Sequence, residues 1–149
     1  MTTSAKGSRT LRKALLVCAL LLIFIAIGLA GFHRTAWVVP PAQKEIRNPL
    51  ALSAANLAAA KEIYSDKCAN CHGDGGKGDG SDAMMYDPAP SDLTDAKVGK
   101  KSDGELYYQI TEGRKPMPSF KKKLSDQQRW QLVLFVRSLA TTPASSVSK

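Results

Sequence analysis

Apolar residues are distributed along this chain in two unlike ways. Residues 14–32 read ALLVCALLLIFIAIGLAGF, 19 consecutive positions without a charge. From residue 53 onward, apolar positions recur instead at helical spacing between polar ones. As a helix the first run would measure about 28 Å at ~1.5 Å per residue, close to the ~30 Å hydrocarbon core of a bilayer. Lys6, Arg9, Arg12 and Lys13 precede it. The positive-inside rule then keeps the basic tail, residues 1–13, in the cytoplasm and sends the rest across. The run is therefore expected to be a single transmembrane anchor. A cleaved signal sequence competes with this reading, with Gly28-Leu29-Ala30 as its small-residue cleavage site, although a signal's apolar core is usually about 7–15 residues. Cys18 reads as a small hydrophobe within the run. Either way, residues 33 onward are expected to work outside the cytoplasm.

Residues 33–52 contain Pro40, Pro41 and Pro49 and read as a partly extended linker. At no more than ~3.6 Å per residue, such a linker reaches up to about 70 Å. Trp37 lies where an interfacial anchor would sit, or it packs on the domain. The domain itself is expected over residues 53–142, with a flexible tail at 143–149. A first helix runs from about Ala54 to Cys68: Ser53 is its N-cap, the stretch is Ala-rich, and Leu57, Ala60, Ile63 and Tyr64 share one face. A second follows the capping box Ser102/Glu105, presents Leu106, Tyr107 and Ile110, and stops at Gly113. A third follows Ser125/Gln128, with Trp130, Val133, Leu134 and Arg137 on one face, continued by Phe135 and Leu139. Between the first two, residues 73–101 are rich in Gly, Asp, Pro and Lys. No strand-like alternation and no internal repeat appears.

Composition changes this picture in two respects. The net charge of +8 suggests nucleic acid until it is divided by region. Residues 1–34 carry five bases and no acid, which leaves +3 for the rest. Few aromatic residues are available to stack on bases, so nucleic acid is not an expected partner. The second respect is the core. Three short helices with few large side chains make a thin core for a domain of ~90 residues, and a loop as long as 73–101 is unusual unless it wraps something rigid. The physics alone calls for a large apolar cofactor.

Residues 68–72 read Cys-Ala-Asn-Cys-His, and Cys-x-x-Cys-His is the attachment signature of c-type haem. Two thiols three residues apart can each add to one vinyl group on a haem edge, and the adjacent imidazole can then reach the iron. A zinc ribbon needs a second cysteine pair, and Cys18 is the only other cysteine. A thioredoxin-like pair needs strand–helix alternation, which is absent. The expected cofactor is one covalent haem c, held by Cys68, Cys71 and His72. For the sixth iron ligand there are four methionines, Met1, Met84, Met85 and Met117. Met1 is on the wrong side of the expected membrane. Met84 and Met85 follow His72 by only 12 and 13 residues, too short a span to round the haem. Met117 lies between Pro116 and Pro118, which restrict its backbone, and is the expected ligand. His/Met ligation raises the reduction potential.

Residues 53–140 resemble a class I, monohaem c-type cytochrome of the small bacterial type. The resemblance rests on Cys68-x-x-Cys71-His72, the Gly-Asp-Gly loop at 78–80, Pro88-Ala-Pro-Ser-Asp-Leu93, Gly113-Arg-Lys-Pro-Met117-Pro, and the last helix with Trp130. It implies an all-α cytochrome c-like domain of about three short helices around one haem, here preceded by a single N-terminal transmembrane helix. It implies that the first and last helices cross at a small residue, here Ala60 facing Trp130 or Phe135. It implies a backbone carbonyl accepting from the haem histidine's outer nitrogen, with Pro90 the first choice and Pro88 the second. The expected location is the bacterial inner membrane, single-pass, with the haem domain in the periplasm or cell exterior.

The expected function is one-electron transfer between respiratory protein partners, by a non-enzymatic tethered carrier. No acid–base pair is visible, and no nucleophile beyond the haem thiols. A haem-carrying subunit of a larger membrane oxidoreductase is the alternative, and a haem sensor with an open iron site comes third. Charge is divided along the domain: residues 62–95 hold eight acids and two bases, whereas 96–124 hold eight bases and three acids. Arg114, Lys115 and Lys121–Lys123 would form a basic rim on the Met117 side, able to steer an acidic partner, unless they are simply a solvated face.

Overall fold

The three longest helices each start at a serine whose hydroxyl satisfies a backbone N–H that the helix cannot. The computed structural model describes Leu15, Val17 and residues 37–141. The remainder of the expected anchor, residues 14–32, and the tail 143–149 lie outside the described residues. The helices are α1 (Pro41–Lys44), α2 (Ala54–Lys67), α3 (Ala69–His72), α4 (Ala96–Gly99), α5 (Asp103–Glu112) and α6 (Asp126–Thr141), with a 3₁₀ turn at Ala83–Met85. No strand occurs among the described residues, only an isolated bridge between Arg114 and Met117. The described domain is thus all-α, as expected.

The Ser53 hydroxyl accepts the Asn56 N–H at 3.2 Å and opens α2. Ser102 and Glu105 form a reciprocal capping box on α5, at 3.2 and 2.8 Å. Ser125 and Gln128 repeat it on α6, at 3.2 and 2.9 Å. Gly113 closes α5 at φ +63°, with the Pro118 carbonyl carbon 2.4 Å from where a Cβ would stand. Only glycine combines that conformation with that contact.

Helices α2 and α6 pack together and frame the domain. Ala60 on α2 is fully buried. On one side of it, Gln131 Nε2 donates to Asn56 Oδ1 at 3.1 Å. On the other, the Tyr64 and Phe135 rings meet at 4.7 Å. Phe135 therefore reaches α2, while Trp130 turns to α5 and stacks on Tyr107 at 3.9 Å and 16°. Two buried clusters result. One is Tyr64, Ala69, Phe120, Leu124 and Leu132. The other is Val98, Leu106, Trp130, Val133 and Val136.

The segment expected as an extended linker behaves differently from Val38 on, where the second of two contact units begins. Val39 is buried. The Gln43 and Ile46 carbonyls lie only 1.8 and 2.9 Å from where a Cβ of Gly104 would stand. Asn48 Nδ2 donates to the Trp130 carbonyl at 3.0 Å, and its N–H points to Asp103 Oδ2 at 3.4 Å. Leu50 packs on the second cluster. Residues 38–50 are thus a strap across α5 and α6, and they add nothing to any free reach. Arg137 seals the same end of the domain: its Nε donates to Asp103 Oδ1 at 2.9 Å and its guanidinium to the carbonyls of Gly99, at 2.8 Å, and Lys101. Among the described residues no helix is long and apolar enough to cross a membrane.

Candidate functional site

Helix α2 runs directly into the attachment motif. Cys68 caps it, its N–H donating to the Tyr64 carbonyl at 2.8 Å, and its own carbonyl accepts from Cys71 and His72 at 3.1 and 2.8 Å. This tight turn gathers both thiols and the imidazole at one short helix, α3, with Cys68 at its N-cap and both cysteines free and half-buried. Burial, with lesser contributions from Cys71 and Asp66, pushes the Cys68 thiol up to about 12. A thiol so placed is inert as an acid and stays neutral in its apolar surroundings.

His72 Nδ1 lies 3.0 Å from the Ser91 carbonyl oxygen. A carbonyl only accepts, so the proton sits on Nδ1 and Nε2 is left for a metal. Burial lowers the His72 pKa, and the bond to Ser91 opposes this in part. The carbonyl is one residue beyond the expected Pro90. Pro90 has another place: its oxygen lies 2.6 Å from where a Cβ of Gly78 would stand, and Gly78 has φ +76°. The glycine loop and the Pro88–Leu93 stretch are thereby pressed together, and the next carbonyl in line meets the histidine. Leu93 N–H donates to the Gly76 carbonyl at 2.6 Å and closes the loop.

The glycine loop also returns along α3. Gly78, Gly80 and Asp82 donate their N–H groups to the carbonyls of His72, Cys71 and Asn70, at 2.8, 3.3 and 2.8 Å. Tyr64 holds the loop from the other side, its hydroxyl donating to the Gly73 carbonyl at 2.7 Å. Burial raises the Tyr64 pKa, and nearby Cys68, Asp74 and Asp79 add to this, so the phenol remains a donor. The tyrosine's part was missed in sequence, where it is only one of several apolar positions on a helix face. A polar depression of about 480 Å³ beside α3 is lined by Ser65, Asn70, Asp74 and Asp79 among others, and includes neither cysteine nor His72.

Met117 sits in a narrow turn, its N–H donating to the Arg114 carbonyl at 2.9 Å. It is half-buried and packs on the cluster of Tyr64, Ala69, Phe120, Leu124 and Leu132. Cys68, Leu93, Phe135 and Leu139 adjoin the same cluster and are also only partly covered. Apolar side chains from α2, α6, the glycine loop and the methionine turn are thus left incompletely packed around one place. A flat apolar macrocycle would cover them, and the donors beside it are two thiols, an imidazole nitrogen and a thioether. This set fits haem c. Met84 and Met85 point elsewhere, 98% and 71% exposed.

Residues 55–136 match the family described as "Cytochrome C oxidase, cbb3-type, subunit III". Cytochrome c6 of Thermosynechococcus vestitus is 31% identical over 88 residues, which cover 59% of this chain and 73% of that protein. Cytochrome c6 of Leptolyngbya boryana is 30% identical over 83 residues, covering 55% of this chain and 91% of the relative. Among solved structures, a chain of the reducing HAO-like protein complex of Kuenenia stuttgartiensis superposes with a TM-score of 0.55 at 33% identity. That match covers 74% of this chain and 53% of the other, so this chain spans about half the length of that one. The expected single-pass inner-membrane location does not stand: no described helix is long and apolar enough to cross a membrane, and the relatives found are cytochromes c6. What does stand is the cofactor, one covalent haem c, because the matched family, the fold and the Cys-x-x-Cys-His turn agree. The chain belongs to the cytochrome c family, as a class I, monohaem c-type cytochrome.

Proposed function

We propose that Cys68 and Cys71 would hold the haem through thioethers, that His72 and Met117 would ligate its iron, and that the protein relays single electrons between protein partners. The observation that carries this reading is the shared environment of the donors: Cys68 and Met117, 49 residues apart, adjoin one apolar cluster, while Ser91 fixes the histidine ring beside it. The haem supplies reversible one-electron exchange at iron. The protein's residues do the remainder. The Ser91 carbonyl holds the proton on Nδ1 and keeps the ring oriented. Pro116 and Pro118 restrict the swing of Met117. Phe120, Leu124 and Leu132 exclude water and so favour the less charged, reduced iron.

The same turn carries Arg114 and Lys115, followed by Lys121–Lys123. Lys121 pairs with Glu112 at 3.0 Å in an exposed contact, which holds it only weakly, and the rim's net positive charge would steer an acidic partner. Neutralising Lys121–Lys123 is expected to flatten the salt dependence of electron transfer; an unchanged dependence removes the steering role.

Visible spectra of the matured protein, followed by carbon monoxide added to the reduced form, test the ligation. A c-type spectrum with a methionine–iron charge-transfer band and no shift with carbon monoxide is expected. A ready shift means an open iron, and Met117 is then not the ligand. A second reading, a haem-carrying subunit of a larger oxidoreductase, is favoured by the description of the matched family and by the complex containing the solved relative. Co-purification with a partner at stoichiometric yield distinguishes it from a free carrier.

A further inference from the structure

The search for surface left without a purpose leads to the turn Ala83–Met85. Ala83 is buried and anchors it, yet Met84 and Met85 stand 98% and 71% exposed. Single exposed apolar residues are ordinary, but two adjacent ones on a pinned turn form a patch. The turn is held against the attachment helix: Asp82 N–H donates to the Asn70 carbonyl at 2.8 Å, and Gly80 N–H to the Cys71 carbonyl at 3.3 Å. The methionines are therefore displayed next to the two residues that separate the haem thiols. The chain on both sides of them is mostly acidic, with Lys77 the nearest base in sequence, placed to act on Asp92. Asp79, Asp82, Asp87, Asp92 and Asp95 fall between residues 78 and 96, with no lysine or arginine among them. Methionine makes adaptable, polarisable contacts, and an apolar centre inside a charged rim is the usual anatomy of a transient docking face.

We propose that the Met84/Met85 turn and its aspartates are a second docking face, for a redox protein that presents a basic rim around an apolar centre. The proposal rests on the electron-carrier reading and adds a partner to it. It differs in charge from the Met117 rim, where Arg114, Lys115 and Lys121–Lys123 suit an acidic partner. Two faces of opposite sign at one cofactor let a carrier receive an electron on one and deliver it on the other. At the acidic face, one electron passes between the haem iron and the partner's centre, so one is oxidised as the other is reduced. No bond forms or breaks, and no proton moves.

The test uses the holoprotein with labelled methionine methyl groups, titrated with a lysine-rimmed mitochondrial cytochrome c as the basic probe. Its c-type visible spectrum is recorded first, so that a failure of the haem reading is seen separately from a failure of docking. The Met84 and Met85 methyl resonances are expected to shift on titration at low salt, and to return as salt is raised. Asp82→Asn with Asp87→Asn should weaken binding about 3- to 10-fold at low salt and little at high salt. Met84→Ser with Met85→Ser should weaken it at both. All four substitutions lie on exposed or partly exposed side chains of a loop, and the unchanged spectrum reports that the fold is intact. The proposal is overturned if the probe binds without moving either methyl resonance, or if both double variants bind like the parent. It is equally overturned if the shifts already occur without the probe, on concentrating the protein alone; the occupant is then a second copy, its own lysines supplying the positive rim.

Discussion

The two buried clusters of this small domain differ in what completes them. Val98, Leu106, Trp130, Val133 and Val136 are closed by the protein's own chain, with Tyr107 stacked on the tryptophan and Arg137 tying three segments together. Asn48 binds the Trp130 carbonyl over the same cluster. Tyr64, Ala69, Phe120, Leu124 and Leu132 instead adjoin half-covered Cys68, Met117 and Leu139. The Val98 cluster is finished by polypeptide, whereas the Tyr64 cluster is left open on the side where the proposed haem would lie. On that reading, only one half of the core would depend on the redox centre.

The largest expected effect comes from removing the cofactor. Cys68→Ala with Cys71→Ala should abolish covalent haem, seen as loss of haem from the denatured chain, and should lower the melting temperature far more than any packing change. If that variant melts like the parent, the two halves do not differ as described. Next comes Gly104→Ala. Its Cβ would stand 1.8 Å from the Gln43 carbonyl, so the strap must shift, at a cost of about 1–3 kcal/mol in chemical denaturation. The haem spectrum should be unchanged, because the strap serves the other cluster.

Tyr64→Phe probes the cofactor side without touching a ligand. It removes the hydroxyl donor to the Gly73 carbonyl, which keeps the Gly76 N–H at 3.0 Å, at a cost of about 1 kcal/mol, and by loosening the loop next to His72 it should also move the reduction potential. A stability loss with no change in potential would make the tyrosine merely structural. Ser102→Ala should cost about 1 kcal/mol, on the strap side alone. The smallest effect is one of pH. The Ser102 N–H, and then Lys44, hold the Glu105 carboxyl below its ordinary range. A folded pKa below the unfolded one means that this stabilisation is complete above the ordinary carboxylate range and is lost as pH falls through the lower, folded value. Glu105→Gln should therefore flatten that part of the acid limb of the stability curve.

Much of this was legible in the sequence because it is local. Ser53, Ser102/Glu105 and Ser125/Gln128 each act within four residues, and the helices begin where they stand. The attachment motif is equally local, since one turn of chain brings its three functional side chains together. What escaped is tertiary. Nothing periodic in residues 38–50 announces a strap; it exists because Gly104, sixty residues after Lys44, lacks a Cβ and lets a carbonyl approach. The carbonyl facing His72 was off by one residue for the same kind of reason: Gly78 draws the Pro90 oxygen toward itself, a contact that motif spacing does not reveal. The short helix Ala96–Gly99 also went unseen, as one turn carries too few positions to show a period.

The bonds from Gly78, Gly80 and Asp82 to three successive carbonyls of the attachment helix have a consequence for redesign. They shape the motif through main-chain atoms alone, leaving its side chains without structural duty on that side. The turn is in this sense a socket whose form is separate from its contents. On the proposed ligation, exchanging His72 for another ligating residue is expected to alter the iron's chemistry while this main-chain seat keeps its outline.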